Sequence, residues 1–531
     1  MITIARVEAN GIGVRGGRVT ITFDAPCHVI EQWPIRASKK CLQSDNHVLE
    51  IFYQLTNHRQ VYLDPTSEMS PHKTERFART PHLWALGVGA VISGDFFGWQ
   101  AGLVAGFLGY FVNLVLVSFL YLLLSFSIAE LSTAIPCGGG PYVFASRAFG
   151  PTAACVAGLG EILKLVGVCA VVAVGIGSYM NQLMHLPSSY APLWWLLSCV
   201  GFTLLNMGGA ALSFRVQFAA TLVSLVLLLV FYIGALPLIN YSRWVQAQDW
   251  AFPHGVHGLF QGLAFTLWFF IGIEELPLAV EETIDPAVHM PRALFAALAT
   301  LFLLACATLV CSSTIPPGAA VVASSTTPLL DGYRVVFGES AILSWCLLLG
   351  LVTSFHSFVF CTGRLLYAVA RDGYLPSILA TLHPTRHTPL VGLAAGAALS
   401  LTLLLGLHVL LGSMSSSTLA PVLMHMALLG ALVSYAFQLA AFVRLRRTHA
   451  TMPRPYTSPF GLCGAYICLG LVALVFATIV VQGIESAAFG IALGVAGVFF
   501  GGGMLLFWYE KTSHNKDDDD DDALMPMLSP K

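Results

Sequence analysis

Charge is what this 531-residue chain has least of. Only 10% of its residues are Asp, Glu, Lys or Arg, while 56% are hydrophobic; a soluble domain carries about a quarter charged. The little charge there is lies unevenly. Of 26 basic and 28 acidic residues, 28 in total fall in the tails 1–82 and 510–531, leaving 26 for the 427 residues between. So sparse a middle cannot present a water-facing surface. It reads as a polytopic membrane protein.

Other absences exclude other classes. A net charge of −2 with no basic stripe argues against a nucleic-acid partner. The 12 cysteines stand singly, with no C-x-x-C pair and no His/Cys ligand spacing, so neither a disulfide framework nor a metal centre is expected. No P-loop marks the tails, which argues against ATP as driver. No repeated filter motif or charged ring points to a channel. No nucleophile–base pair or cluster of histidines and acids points to an intramembrane enzyme. Residues 1–80 contain no continuous apolar core of the kind a cleavable leader has.

What is present is a series of long charge-free runs. About 20 residues span the hydrocarbon core. Cutting the runs at Pro, Gly and polar punctuation predicts twelve spans, near 83–104, 107–131, 153–181, 191–208, 214–237, 258–281, 292–315, 340–368, 389–411, 418–443, 462–483 and 486–508. Lys and Arg accumulate in cytoplasmic loops. With the N-terminus inside, those loops hold Arg147, Arg215, Arg292, Arg364, Arg371, Arg386, Arg444, Arg446, Arg447 and Arg454, against Arg243 and Arg334 outside. Both termini are therefore expected in the cytoplasm, and the plasma membrane is the expected location. Residues 1–80 read as a disordered or dispensable N-terminal segment with weak strand-like patches such as Arg18–Phe23, 81–510 as the membrane domain, and 511–531 as an acidic tail. Asp520 with Leu524 and Met525 loosely matches an acidic dileucine sorting signal.

Ionisable groups inside spans are costly and usually face a cavity or a partner. Here they are Asp95, Glu161, Lys164, Glu274, Glu275, Glu281, Glu282 and His356. Asp95 sits mid-span between Gly94 and Gly98, and Glu274 and Glu275 follow Gly272. These are the first and sixth spans, the pair that many transporters interrupt at the midplane of two inverted repeats. Unwound backbone is tolerated only beside a cavity or within protein, and half-helix ends lend partial charge to a ligand. Close packing of helices at these glycines is the other reading.

Glu161 and Lys164, at i and i+3 on the third span, are placed for a salt bridge; Glu161 as a cavity-lining proton or amine site is the sharper alternative. His356 is either a satisfied packing residue or a proton-coupling group. Thr353, Ser354 and Ser357 offer hydroxyls to a sodium ion or to their own helix backbone. Glu281 and Glu282 are expected near the cytoplasmic interface, with Arg292 as counter-charge.

Four stretches carry a resemblance: Gly87–Trp99; Ser127–Pro136 with Gly138–Tyr142; Ile273–Pro277 with Glu281 and Glu282; and Gly363–Pro376. On these the chain resembles the amino acid–polyamine–organocation transporters, most closely their ethanolamine permease branch, over about residues 80–510. The resemblance implies an all-α fold of about twelve transmembrane helices: an inverted five-helix repeat with broken first and sixth helices, plus two C-terminal helices. It also implies a substrate site at the breaks, formed by Ser93, Gly94, Asp95, Phe96, Phe269, Phe270, Gly272 and Glu274, with Trp268 as a gate and Glu161, Lys164 and His356 lining or coupling.

In amino acid carriers of this family the first break reads like Gly-Ser-Gly, and its amides hold the substrate carboxylate. Here Ser93-Gly94-Asp95 stands in that place. An aspartate there repels a carboxylate and attracts an ammonium group, and the aromatics add cation–π contacts. If Asp95 instead pairs with Lys164, an ordinary amino acid is the expected substrate. The expected function is secondary active transport of a small amine or amino acid, ethanolamine for example, by alternating access. A polyamine or general amino acid exchanger is the alternative. No cofactor is expected, and proton or sodium coupling is open.

Overall fold

The computed structural model describes residues 9–15, 18–23, 31–33, 76–412, 415–484 and 486–524. The chain divides into two compact units, Met1–Glu75 and Arg76–Lys531. The first contains a small antiparallel sheet of β1 (Ala9–Arg15), β2 (Arg18–Phe23) and β3 (Glu31–Trp33), in the order β1-β2-β3. Its register pairs Ile12 with Ile21, Val14 with Val19, and Val19 with Trp33. The alternating Val19, Ile21 and Phe23 are the pattern read as strand-like from the sequence.

The second unit is a helical membrane domain. Among the described residues, eleven helices are long and apolar enough to cross a bilayer. The first span adds a twelfth crossing; it is too short to qualify alone because it is interrupted. It comprises Thr80–Val91, the short turn Ser93–Phe96 and the 3-10 segment Trp99–Ala105. The second span is Gly106–Ala134, the third Pro151–Leu183, the fourth Ala191–Met207 and the fifth Ala210–Ala235. A short helix, Pro141–Phe149, lies between the second and third. The sixth span is also interrupted, into Gly255–Thr266, Leu267–Phe269 and Ile273–Ala279. The seventh to tenth spans are Pro286–Ser313, Leu348–Arg371, Leu390–Leu411 and Ser415–Thr448. Gly461–Gly483 and Ala487–Leu524 complete the set. The last helix runs past its expected end near 508, although its apolar part stops at Thr512. The second half of the dileucine-like pattern, Met525, lies outside the described residues.

Burial separates the helices into a centre and a rim. The most apolar stretch of the third span is 94% buried, against 17% for the last. Polar groups on the third span therefore need partners inside the protein. The tenth span supplies them by lying unusually close. A Cβ on Gly430 would fall 2.6 Å from the Gly160 carbonyl oxygen, so only a glycine lets these two backbones approach. That approach sets Ser434 and Tyr435 of the tenth span against Glu161 and Lys164 of the third. The strands leading into and out of the broken helices also touch: Phe77 and Ala78 N–H donate to the Glu282 carbonyl (2.9 and 2.8 Å), and Ile284 N–H to Ala78 (3.0 Å).

Candidate functional site

The first break lies slightly later than the Ser93–Asp95 stretch. Ser93–Phe96 retains helical turn, and the chain unwinds at Phe97, which is extended, and at Gly98, whose φ of +100° is one that L side chains rarely adopt. Its backbone groups are taken up one by one. Ser93 N–H donates to Ser354 Oγ (3.0 Å), whose hydroxyl donates to the Gly89 carbonyl (2.9 Å). Tyr179 donates to Phe96 O (2.8 Å), and the Trp268 indole to Phe97 O (3.1 Å). Gly98 N–H donates to Gln100 Oε1 (2.7 Å). Trp268, the expected gate, thus ties the sixth span to the first.

The sixth break falls at Phe270–Gly272, as the glycine indicated, with Gly272 at φ +118°. Gly272 N–H donates to Glu274 Oε2 (2.9 Å), so this half-helix start is capped by its own carboxylate. Phe269 stacks on Trp99 with ring centroids 5.7 Å apart, and Phe270 lies against Tyr121 at 5.3 Å.

The two acidic positions have opposite surroundings. Asp95, 1% exposed, accepts a hydrogen bond from Thr308 (2.6 Å), whose hydroxyl also meets that of Tyr232 (2.6 Å). Among the described residues no Lys, Arg or His pairs with it. The Asp95–Lys164 pairing considered from the sequence does not form. Lys164 instead meets Glu161 Oε1 at 2.9 Å, Glu274 Oε1 at 3.0 Å and Glu275 Oε1 at 2.5 Å. Its ammonium group thus meets one carboxylate of its own span and two beside the sixth break. The tenth span closes the cluster: Tyr435 donates to Glu274 and Ser434 to Glu161, while Tyr435 and Tyr121 share a hydrogen bond of 2.8 Å. Glu274 therefore has its oxygens engaged within the protein.

His356 is held between the fourth and fifth spans, its Nδ1 3.0 Å from Asn206 Nδ2 and its Nε2 2.9 Å from Ser213 Oγ. Since Asn206 donates and Ser213 already donates to Asn206 (2.9 Å), these contacts suit the neutral ring with its proton on Nε2. The hydroxyls of Thr353, Ser354 and Ser357 each reach backbone carbonyls, of Leu349, Gly89 and Thr353 respectively.

The glutamates beyond the sixth break have other partners than the expected Arg292. Glu281 accepts from Arg371 Nη1 (3.0 Å) and from Gly138 N–H (3.1 Å), and Glu282 pairs with Arg364. Arg292 is nearer in sequence, but the end of the eighth span is what packs here. Burial, the largest influence on Glu281, would raise its pKa, but Arg371 and Arg364 together hold it below the ordinary carboxylate value. Tyr142 donates to Asp372 (3.0 Å). Glu130 accepts from Arg446 Nε (2.8 Å) and Ser458 N–H (2.8 Å), with Arg454 at 3.1 Å. Most of the resemblance-bearing motifs outside the two breaks thus build ion-pair networks.

Sequence reasoning missed Thr308, Tyr232, Gln100, Ser434 and Tyr435. Each is an ordinary polar residue in an apolar run, and only its placement beside a break or a charge distinguishes it.

With interrupted helices and buried acids in place, comparison with known proteins is decisive. The amino acid permease family profile matches residues 82–499. The chain belongs to the amino acid permease family. Similar proteins include an uncharacterised transporter of Rhizobium meliloti, 27% identical over 62% of this permease and 73% of that protein. The methylthioribose transporter of Bacillus subtilis is 26% identical over 75% and 88% of the respective chains. A branched-chain amino acid permease of the same organism is 25% identical over 71% and 82%. The permease is a multi-pass membrane transporter, and its buried acids belong to a carrier.

Proposed function

We propose that this permease moves a small cationic amine without a carboxylate, of the ethanolamine type, by alternating access. The observation that carries this reading is Asp95: a buried carboxylate beside the first break with a neutral hydroxyl as partner. A buried, unpaired charge is expensive, and an ammonium group is the species that would offset it. Two further contacts support the reading. Gly98 and Gly272 N–H, two of the backbone donors beside the breaks, are already taken by Gln100 and Glu274, which leaves those amides no role toward a substrate carboxylate. Phe96 and Phe269, both buried beside the breaks, are proposed to supply cation–π contacts to the amine.

In this mechanism the amine binds Asp95 at the midplane, Thr308 orients the carboxylate, and the half-helices of the first and sixth spans swing about Phe97–Gly98 and Phe270–Gly272. The Arg-rich loops support a topology with both termini in the cytoplasm, and the plasma membrane is the proposed location. The N-terminal unit is proposed to be an extension to the transport domain. A zwitterionic substrate is the second reading, favoured by the relation to a branched-chain amino acid permease.

Uptake into proteoliposomes separates the two. Ethanolamine and putrescine are expected to compete for one saturable flux that leucine and glycine leave unaffected. Inhibition by the amino acids, with none by the amines, overturns the proposal.

A further inference from the structure

The Lys164 cluster holds more negative charge than it neutralises. Three carboxylates, Glu161, Glu274 and Glu275, surround one ammonium group, and all four side chains are 2% exposed or less. Glu274 is the satisfied member, accepting from Lys164, Tyr435 and Gly272 N–H. Glu161 and Glu275 are different. Their carboxyls converge on the same ammonium nitrogen, Glu161 Oε1 at 2.9 Å and Glu275 Oε1 at 2.5 Å from Lys164 Nζ, and two carboxylates side by side have no proton to share. Glu275 Oε2 has no hydrogen-bond partner among the described residues. The other groups facing the cluster are Tyr121 of the second span, Tyr435, Ser434 and Gln438 of the tenth, and Cys361 of the eighth. None of them is a cation.

We propose that Glu161 and Glu275 hold one proton between them, and that this proton loads and unloads in each transport cycle. Loading converts one carboxylate to the acid, whose O–H donates to the other; unloading returns the proton to water on whichever side is open. The position of Glu275 explains how this acts on transport. It lies three residues past Gly272, the hinge of the sixth span, and its pairing with Lys164 ties that half-helix to the third span. Protonation weakens the tie and frees the hinge to move; deprotonation restores it. The coupling ion is thereby named, on the proposed reading of the permease as an amine carrier.

The experiment uses the full chain in proteoliposomes with radiolabelled ethanolamine. Two fluxes are measured: exchange at equal pH, and net uptake under pH gradients of either polarity. Net uptake by the wild type is expected to differ between the two polarities, with accumulation shifting by up to about tenfold per pH unit for one proton per cycle. Glu275→Gln, which mimics the protonated acid, is expected to keep exchange and lose the gradient response. A wild type indifferent to the gradient, or a variant that still responds, overturns the inference while leaving the amine reading intact.

If no amine is carried, the amine reading fails, and infrared spectroscopy of the purified protein decides the inference separately. A protonated-carboxyl stretching band at neutral pH, shifted in heavy water and lost in Glu275→Gln or Glu161→Gln, supports it. Absence of that band from the wild type refutes it. The wild-type spectrum also serves if either variant does not fold.

Discussion

The two helix breaks solve the same backbone problem and treat charge in opposite ways. At the first, Asp95 stands with a threonine hydroxyl as partner. At the sixth, Glu274 and Glu275 are gathered around Lys164 with Glu161. An acid left without a counter-charge is poised for an external cation. Acids supplied with a lysine are built into the fold, and only the excess over that lysine remains for a proton. Being buried is thus no guide to function by itself; what matters is whether the protein has already provided the partner.

The largest effect expected from this contrast is at Lys164. Lys164→Met strands three carboxylates, and removing one partner of a buried ion pair costs about 3–5 kcal/mol. The variant should fail to give a monodisperse peak in detergent, whereas Asp95→Asn should give a normal one. If both behave alike, the distinction between a structural and a binding cluster is lost. Asp95→Asn is the next test. Loss of a buried charge partner costs about 2–5 kcal/mol in binding, so amine affinity should fall at least about 30-fold. Thermal stability of the unliganded carrier should hold or rise, because an uncompensated charge has been removed. A parallel loss of stability would show Asp95 to be structural.

Thr308→Val removes one hydrogen bond to a charged group, a contribution of about 1.5–3 kcal/mol. It should weaken amine binding about tenfold and sharpen the placement of the site on that side of Asp95. The smallest effect is at the Glu281–Arg371 contact. It is partly exposed, so its contribution is under about 1 kcal/mol. Because Glu281 titrates below the ordinary carboxylate value, that contribution is full above this value and disappears as pH falls through the lowered one. Thermal melts of wild type and Glu281→Gln should therefore differ at neutral pH and converge in acid.

The sequence alone determined the membrane class, the number and order of spans and the two interrupted helices. Each of these depends on composition and on local backbone chemistry: apolar length for a span, glycine with a positive φ for a break. It also singled out Asp95, because an acid inside an apolar run is conspicuous wherever it packs. Tertiary structure decided which acids are answered. Lys164 had candidates at Glu161, one turn away, and at Asp95, and it takes Glu161 together with the sixth-span pair. Glu281 and Glu282 take Arg371 and Arg364 instead of the nearer Arg292. Gly430 against Gly160 brings Tyr435 and Ser434 to the cluster from the far end of the chain. Such pairings depend on which helices touch and at what separation, and electrostatic energy falls with distance through space. Distance along the chain carries no such information.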